Sequence, residues 1–504
     1  MAQLTYRGNL SAKTFPFISE RFGQSIIVKQ YDQNFDRNLQ SSEDVDKDIG
    51  IPQFYYAHNI MPMAEGLQSV GYTKLLDGGL IDFASIKLLR DDAGNSAYLG
   101  ITNSGKFYVS SGGVWVYKVT HTGLVTFAFV SGITYIYVQG IGCLKYDFGT
   151  TAFVVVTLTG ITIIGAGAAI GICPSIGYLI CWSSNTVAWS STIDPTDFTP
   201  SLVTGAGGGA VQGVKGAINF CVPHLLGFIV YTTSNAVAAL YSGNSRYPFN
   251  FREIVSSGGL SSLKLIAADA NTGNHYAYTT DGMQLISASQ SQTIFPEITD
   301  FISGKLFEDF DTTTNTIVRT VLYSTMKKRL NVISSRYLVM SYGVYSLTHA
   351  LIYDLVTKRY GKLKINHVDT FEFQIPSVSI TEIPRQSIGF LQVDGTIFVL
   401  DFDVTSESSS GVLILGKFQF VRSRLLTLDT LMLENIEPGA TFELLVATSL
   451  DGKNTTNSSP VLLYSSGQLR SYGVDKVGKN HSLICKGSFH LTSFELVFHI
   501  HGKY

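Results

Sequence analysis

The sequence predicts an all-β protein, a β-propeller of six or seven blades followed by a C-terminal β-sandwich. Three observations predict it: a strand-favouring composition, a strand–turn–strand unit that recurs through the middle of the chain, and the spacing of that unit. Of the 504 residues, 45% are hydrophobic and only 15% are charged, while Gly (48), Tyr (26) and Phe (31) are abundant. β-Branched and aromatic side chains fit a pleated, half-buried surface, and Gly, Ser and Asn supply its turns. A chain this long exceeds one ordinary core and divides into two or three domains.

The repeating unit is an apolar strand, a tight turn and a second apolar strand. It first appears at Tyr98 to Val109, turning at Asn103-Ser104-Gly105, and again at Tyr137 to Phe148, turning at Gly140 to Gly142. Tyr178 to Trp189 turns at Ser184-Asn185, and Phe228 to Tyr241 turns at Ser234-Asn235. Tyr276 to Ile286 and Leu391 to Leu400 carry Asp281-Gly282 and Asp394-Gly395. Asp-Gly is a strong hairpin signal, because both central residues of a type I′ turn take positive φ. The turns recur every ~40–55 residues, the period of propeller blades. Between Gly282 and Gly395 the interval is double, leaving room for one irregular blade. Within it, Val321 to Tyr323 and Leu330 to Ile333 read as a hairpin turning at Lys327-Lys328-Arg329. A small antiparallel sheet cannot cover both of its faces alone, and radial stacking covers them while leaving only short edges.

These signals place the propeller at residues 76–403. Residues 1–75 precede it as an extended arm and docking segment, with a polar, acidic stretch at Phe35 to Asp48. The run from Tyr55 and Tyr56 through Met61 and Pro62 to Tyr72 sets aromatics between Pro and Gly, as an extended segment docking on another surface does. A polar spacer, Val404 to Gly411, leads to the sandwich at residues 404–504. Phe418 to Val421, Phe442 to Val446 and Phe494 to Phe498 alternate as its strands. About 90 residues suit such a sandwich.

Charge excludes some functions. With 36 basic and 38 acidic side chains the net charge is −2, and no dense basic run offers the footprint of a tight nucleic-acid binder. Five cysteines without repeated spacing read as buried free thiols in a reducing compartment. No charged n-region and apolar h-region open the chain, so no signal peptide is expected. Phe148 to Ile193 holds no charged residue, but Gly and Pro punctuate it, and it reads as successive buried strands rather than a membrane span.

No catalytic, cofactor or metal site is expected. Ser449 to Thr455 is a degenerate S-x-D-x-G-x-T turn and reads as a plain hairpin. His499 and His501 share a strand face, but two ligands are too few for structural zinc. His224, after Pro223, reads as a satisfied core or turn histidine. Gly205 to Gly209 lacks the Gly-Lys-Ser/Thr ending of a phosphate loop and reads as a linker. No G-x-S-x-G elbow is present.

Several short motifs carry a resemblance. Ile352 to Lys362 (Tyr353-Asp354, Thr357, Arg359, Lys362) resembles the YD-x-x-T-x-R-W-x-K signature of podovirus tail nozzle proteins, also called tail hub or packaged-DNA-stabilisation proteins, with Tyr360 replacing the Trp. Trp189-Ser190-Ser191, followed by Asp194-Pro195 and Phe198, is similar to their W-S-x-x-D-P-x-x-F segment. Asn59, Pro62, Gly66-Leu67 and Gly71 resemble their N-x-x-P-x-x-G-L-x-x-x-G run. Gly243 to Phe249 falls where they carry a blade loop, and Ser449 to Gly452 and Val474 to Gly478 resemble their closing sandwich.

The resemblance implies a structural virion subunit, assembled in the host cytoplasm into a hexameric ring below the portal and the tail adaptor, or head-to-tail connector. That ring retains packaged DNA, forms its exit channel with transient, non-specific passage of DNA, and anchors a tail fibre, tailspike or needle. Tyr55, Tyr56, Met61, Pro62, Arg246, Tyr247 and Phe249 are the candidate assembly-interface residues. The alternatives are a propeller glycosidase or depolymerase, which needs a carboxylate pair on the axis, and a receptor-binding adhesin.

Overall fold

Seven antiparallel sheets surround one axis. The residues described by the computed structural model are 2–9, 54–63, 67–79, 82–111, 113–161, 169–279, 282–295, 307–311, 316–320, 326–356, 359–375, 385–402, 410–418, 426–435, 441–449, 456–457, 462–465, 470–478 and 480–500. The innermost strands of the sheets are Phe83–Arg90, Val125–Val130, Gly171–Ser175, Ile218–His224, Ile266–Ala268, Lys327–Ile333 and Asp369–Ile375. Each lies beside the next, and the last returns to the first. The fold is a seven-bladed β-propeller with a β-sandwich attached.

The six hairpins anticipated from the sequence are the central hairpins of blades one to five and seven. The sixth blade, Lys327–Ile333, Tyr337–Gly343, Leu347–Asp354 and Arg359–His367, lies in the double interval. Three local readings are corrected here. Lys327-Lys328-Arg329 is not a turn but the start of the sixth blade's inner strand, paired with Tyr337–Gly343. Val321 to Tyr323 falls outside the described residues. Gly205 to Gly209 is not a linker: Gly207–Ala210 is the outer strand of the third blade. The Trp189 indole packs against Gly207 and donates to the Gly205 carbonyl (2.8 Å). The Asp394-Gly395 hairpin is also not a type I′ turn. Only Gly395 takes positive φ (87°), and its N–H bonds the Gln392 carbonyl (3.1 Å) while Gln392 N–H bonds the Thr396 carbonyl. That is a three-residue loop with a left-handed Gly at its end.

Ring closure comes from the N-terminal side. The seventh blade contributes Asp369–Ile375, Arg385–Leu391 and Ile397–Asp401, and its outer strand is Gly71–Leu76, with Tyr72 opposite Leu400. The propeller therefore begins at Gly71, five residues before the boundary that composition suggests. The junction of the last and first blades is sealed by Leu76, Phe83, Ile86, Phe371, Leu391 and Ile397. There the Trp115 indole donates to the Gly395 carbonyl (2.7 Å). Comparable apolar clusters straddle the junctions of blades one and two, two and three, three and four, four and five, and six and seven. The described parts of the charge-free stretch Phe148 to Ile193 include Ala152–Val156, Gly171–Ser175, Tyr178–Trp182 and Thr186–Trp189, strands of the second and third blades. No helix among the described residues is long and apolar enough to cross a membrane.

Residues 54–69 are not a free arm. Phe54–His58 joins a sandwich sheet by pairing with Gly411–Phe418. Ile60–Pro62 and Leu67–Ser69 form a hairpin that pairs on one side with Lys362 of the sixth blade and on the other with Leu491 and His490. One ten-stranded sheet thereby runs from the sixth blade into Leu426–Asn435, Arg470–Gly478 and His490–Ile500, with Ala2–Asn9 paired to the last of these. The second sandwich sheet faces it with a core of Val412, Ile414, Leu445, Ala447 and Ile484.

Asn59 pins this junction. Its backbone is left-handed (φ 50°), which Asn tolerates better than most residues. Its side-chain oxygen accepts from Lys364 N–H (2.9 Å) and the Tyr72 hydroxyl (2.9 Å), while its amide donates to the Ser410 carbonyl (3.2 Å). One side chain ties the sixth blade, the closing strand and the sandwich. Asn59→Ala removes three bonds and strains the backbone, and is expected to cost about 2–4 kcal/mol. A urea-unfolding midpoint unchanged from the parent protein would count against this role.

Candidate functional site

The seven candidate interface residues do not form one surface. Tyr55 and Tyr56 lie on the strand Phe54–His58 of the sandwich. Met61 is fully buried among Val70, Ile333, Val339 and Leu363, and Pro62 is buried beside it. Phe249 is also core, against Tyr178, Trp189 and Phe228. Met61, Pro62 and Phe249 are thus withdrawn as free contact residues, because their apolar surface is already covered by their own chain. Arg246 and Tyr247 are exposed at the tip of the fourth blade's outer loop, with the guanidinium 5.5 Å from the ring centre. Asn244 accepts from Arg246 N–H (2.8 Å) and Ser242 N–H bonds the Pro248 carbonyl (2.8 Å), fixing that loop.

The motif residues are placed where they hold blades together. Asp354 is fully buried; its carboxylate accepts from Arg336 (3.1 Å) and from Val356 N–H (2.8 Å). Tyr353 packs on Tyr360 and Phe295. Thr357 and Lys358 lie outside the described residues. In the other segment, Ser191 accepts from Ile193 and Asp194 N–H, Asp194 from Thr196, and Phe198 is buried in the core between blades two and three.

A site the sequence did not announce lies on the propeller axis. The inner strands leave a channel of about 520 Å³. At its wall Arg329, only 7% exposed, pairs with Asp369 (2.6 Å). Arg329 also donates to the carbonyls of Ala84 and Val368 (both 3.2 Å). Asp369 further accepts from Ile86 N–H (2.9 Å), Thr370 N–H (2.9 Å) and Asn331 (3.3 Å). One ion pair thereby clasps blades one, six and seven. No Asp or Glu is among the described side chains that line the channel. Residue pattern alone could not find the clasp, since Arg329 and Asp369 are brought together only by ring geometry.

His275 and His367 are buried in neutral form. His275 donates from Nε2 to the Pro223 carbonyl and receives the Tyr231 hydroxyl at Nδ1 (both 2.8 Å). His367 bonds the Ile365 carbonyl through Nδ1 (2.8 Å) and Ser341 through Nε2 (2.7 Å). Burial pulls each down to about 4, partly opposed by the carbonyl bond. His224, by contrast, is partly exposed at the end of the strand Ile218–His224 and accepts from Leu226 N–H (3.1 Å). All five cysteines are buried free thiols, and desolvation raises their pKa. No group of three or more His, Cys, Asp or Glu side chains able to hold a metal gathers among the described residues. His499 lies on the strand His490–Ile500, whereas His501 and residues 450–455 fall outside the described residues.

Neither a protein-family model nor a curated protein matches the chain. Similar solved structures include YCF48 from Cyanidioschyzon merolae, at 11% identity and a TM-score of 0.36, covering 66% of this chain and 98% of that one. Saccharomyces cerevisiae Sqt1 is 10% identical with a TM-score of 0.34, covering 67% and 99%. BamB from Moraxella catarrhalis is 10% identical with a TM-score of 0.32, covering 70% and 100%. Similarity at this level says nothing of function.

Two outcomes follow from the buried polar groups. Asp369→Ala strands the buried guanidinium and should cost about 3–5 kcal/mol, whereas Arg329→Met/Asp369→Leu together should cost much less; equal urea midpoints for the single and double variants would contradict the clasp. The folded pKa of His275 and His367 lies below the unfolded value of about 6.5. Between those values the unfolded chain binds more protons, so stability is whole above that window and falls on acidification through it. Lowering the pH from 7 to 5 should remove about 2 kcal/mol per histidine, and His275→Gln should flatten the pH dependence of the urea midpoint.

Proposed function

We propose that this chain is a structural subunit of a phage tail nozzle ring, working by assembly and steric gating rather than catalysis. Two kinds of support bear on the reading. The residues that carry the resemblance to nozzle proteins, Asn59, Trp189, Asp194, Phe198, Tyr353 and Asp354, occupy junction and turn positions on which the fold depends. Motifs kept for architecture suit a protein whose product is a shape.

The observation that carries the reading is a set of uncovered apolar side chains on the outer parts of the first three blades. Val114, Val116 and Tyr117 stand exposed on the outer strand of the first blade, and Val155 on that of the second. Ile193, Leu202 and Val203, up to 89% exposed, stand on the third blade's outer loop. Among the described residues these outer strands are sheet edges, which invite pairing with another chain, and exposed large apolar side chains that gather in one region mark a contact site. A second copy of this chain, offering a different face, would cover it. Such head-to-tail contacts close into rings. The propeller and sandwich share one continuous sheet, so each subunit would enter the ring as a stiff wedge.

Purified protein, alone or mixed with its adaptor, should form sixfold rings in negative-stain electron microscopy. Val155→Asp with Val203→Asp should leave folded single subunits. Persistent single subunits of the parent protein under both conditions would overturn the reading.

A further inference from the structure

We propose that the axial channel of the propeller is a binding site for a small organic phosphomonoester, held by Lys87 and Lys264 beside the Arg329–Asp369 pair. The inference does not rest on ring assembly, since each subunit carries its own channel. At about 520 Å³ the space falls within the roughly 300–1,000 Å³ of small-molecule sites.

The charges lining it do not balance. Lys87, Lys264 and Arg329 all line the channel, and the carboxylate that reaches them, Asp369, is already bonded to Arg329 and three further donors. Lys87 and Lys264 are left without a carboxylate of their own among the described residues. Both lysines are exposed residues that line the channel, yet they are crowded by protein. Desolvation lowers the pKa of each, Arg329 lowers it further, and Asp369 opposes the shift. Two cations without carboxylates of their own, one from the first blade and one from the segment before the fifth, line the same space and disfavour a metal ion and favour a dianion.

The Nε–H of Arg329 and the indole N–H of Trp182 are buried without a partner among the described residues, and both residues, though not those atoms, contribute surface to the channel, so an anion reaches these donors only if the wall shifts slightly. Buried donors are nearly always satisfied, and phosphate oxygens, which accept but do not compete for protons when ionised, satisfy such groups strongly. The remaining wall is mixed: Ser85, Ser261 and Ser262 carry hydroxyls, and Phe127, Ile172, Val222 and Leu330 are apolar. The apolar part can bury an organic moiety attached to the phosphate, which bare inorganic phosphate lacks.

The test is titration of the full chain with phenyl phosphate, followed by calorimetry and by Trp fluorescence, with inorganic phosphate and sodium chloride at matched ionic strength as comparison arms. Phenyl phosphate should bind saturably and at least about tenfold more tightly than inorganic phosphate, and chloride should produce no saturable signal. Lys87→Gln and Lys264→Gln, tested separately, should each weaken binding about tenfold or more, while Lys106→Gln, on the first blade's third strand, should not. Absence of saturable binding by the parent protein up to about 10 mM would overturn the proposal. Unchanged affinity in both channel-lysine variants would overturn it too. Equal affinity for phenyl and inorganic phosphate would overturn the organic half of the assignment.

Discussion

The architecture depends on one constraint: a ring of sheets has a gap until its last blade is completed, and the strand that completes it comes from the opposite end of the propeller's chain. Gly71–Leu76 pairs with Ile397–Asp401, so the ring is held by backbone bonds between residues more than three hundred positions apart in sequence. The same short approach, residues 54–76, also gives a strand to the sandwich and the hairpin that links both domains. Asn59 sits where those three tasks meet. Closure, domain attachment and the continuity of the ten-stranded sheet are therefore a single event. Contacts of such sequence separation form late, after the loop entropy has been spent.

Around the axis the same geometry creates a polar interior that no single blade contains. Arg329, Asp369 and Asn331 fill part of the centre with an interlocked set of bonds. A buried pair of this kind contributes little net stability over an apolar replacement, but breaking one half of it is costly. Its effect is to make blades one, six and seven agree in register at the closing junction. The lysines that face the same space have no such compensation, which gives the channel a chemical character distinct from the apolar junctions between blades.

The sequence made the central hairpins legible because each joins two apolar strands through Gly, Asn or Asp, a purely local signal. Outer strands were not legible. Gly207–Ala210 is four small residues with no hydrophobic pattern, and its strand identity comes from Trp189 laid across it. The sixth blade was obscured because its inner strand opens with Lys327-Lys328-Arg329, charges that suit a turn when isolated, whereas in the fold Lys328 lies over the Tyr278 ring and Arg329 pairs with the buried Asp369. Met61 and Phe249 illustrate the opposite error. Pro and Gly flanking apolar residues suggest an exposed docking loop, yet both side chains are consumed by their own core. No pattern of spacing distinguishes docking onto another molecule from docking onto a distant part of the same chain.

The most direct measurement of the central constraint is amide hydrogen exchange along the intact chain. Ring closure by the N-terminal strand requires the amides of Gly71–Leu76 that pair with Ile397–Asp401 to be protected as strongly as their partners and to open together with them. Rapid exchange at Gly71–Leu76, with Ile397–Asp401 remaining protected, would mean that the ring does not close through this strand.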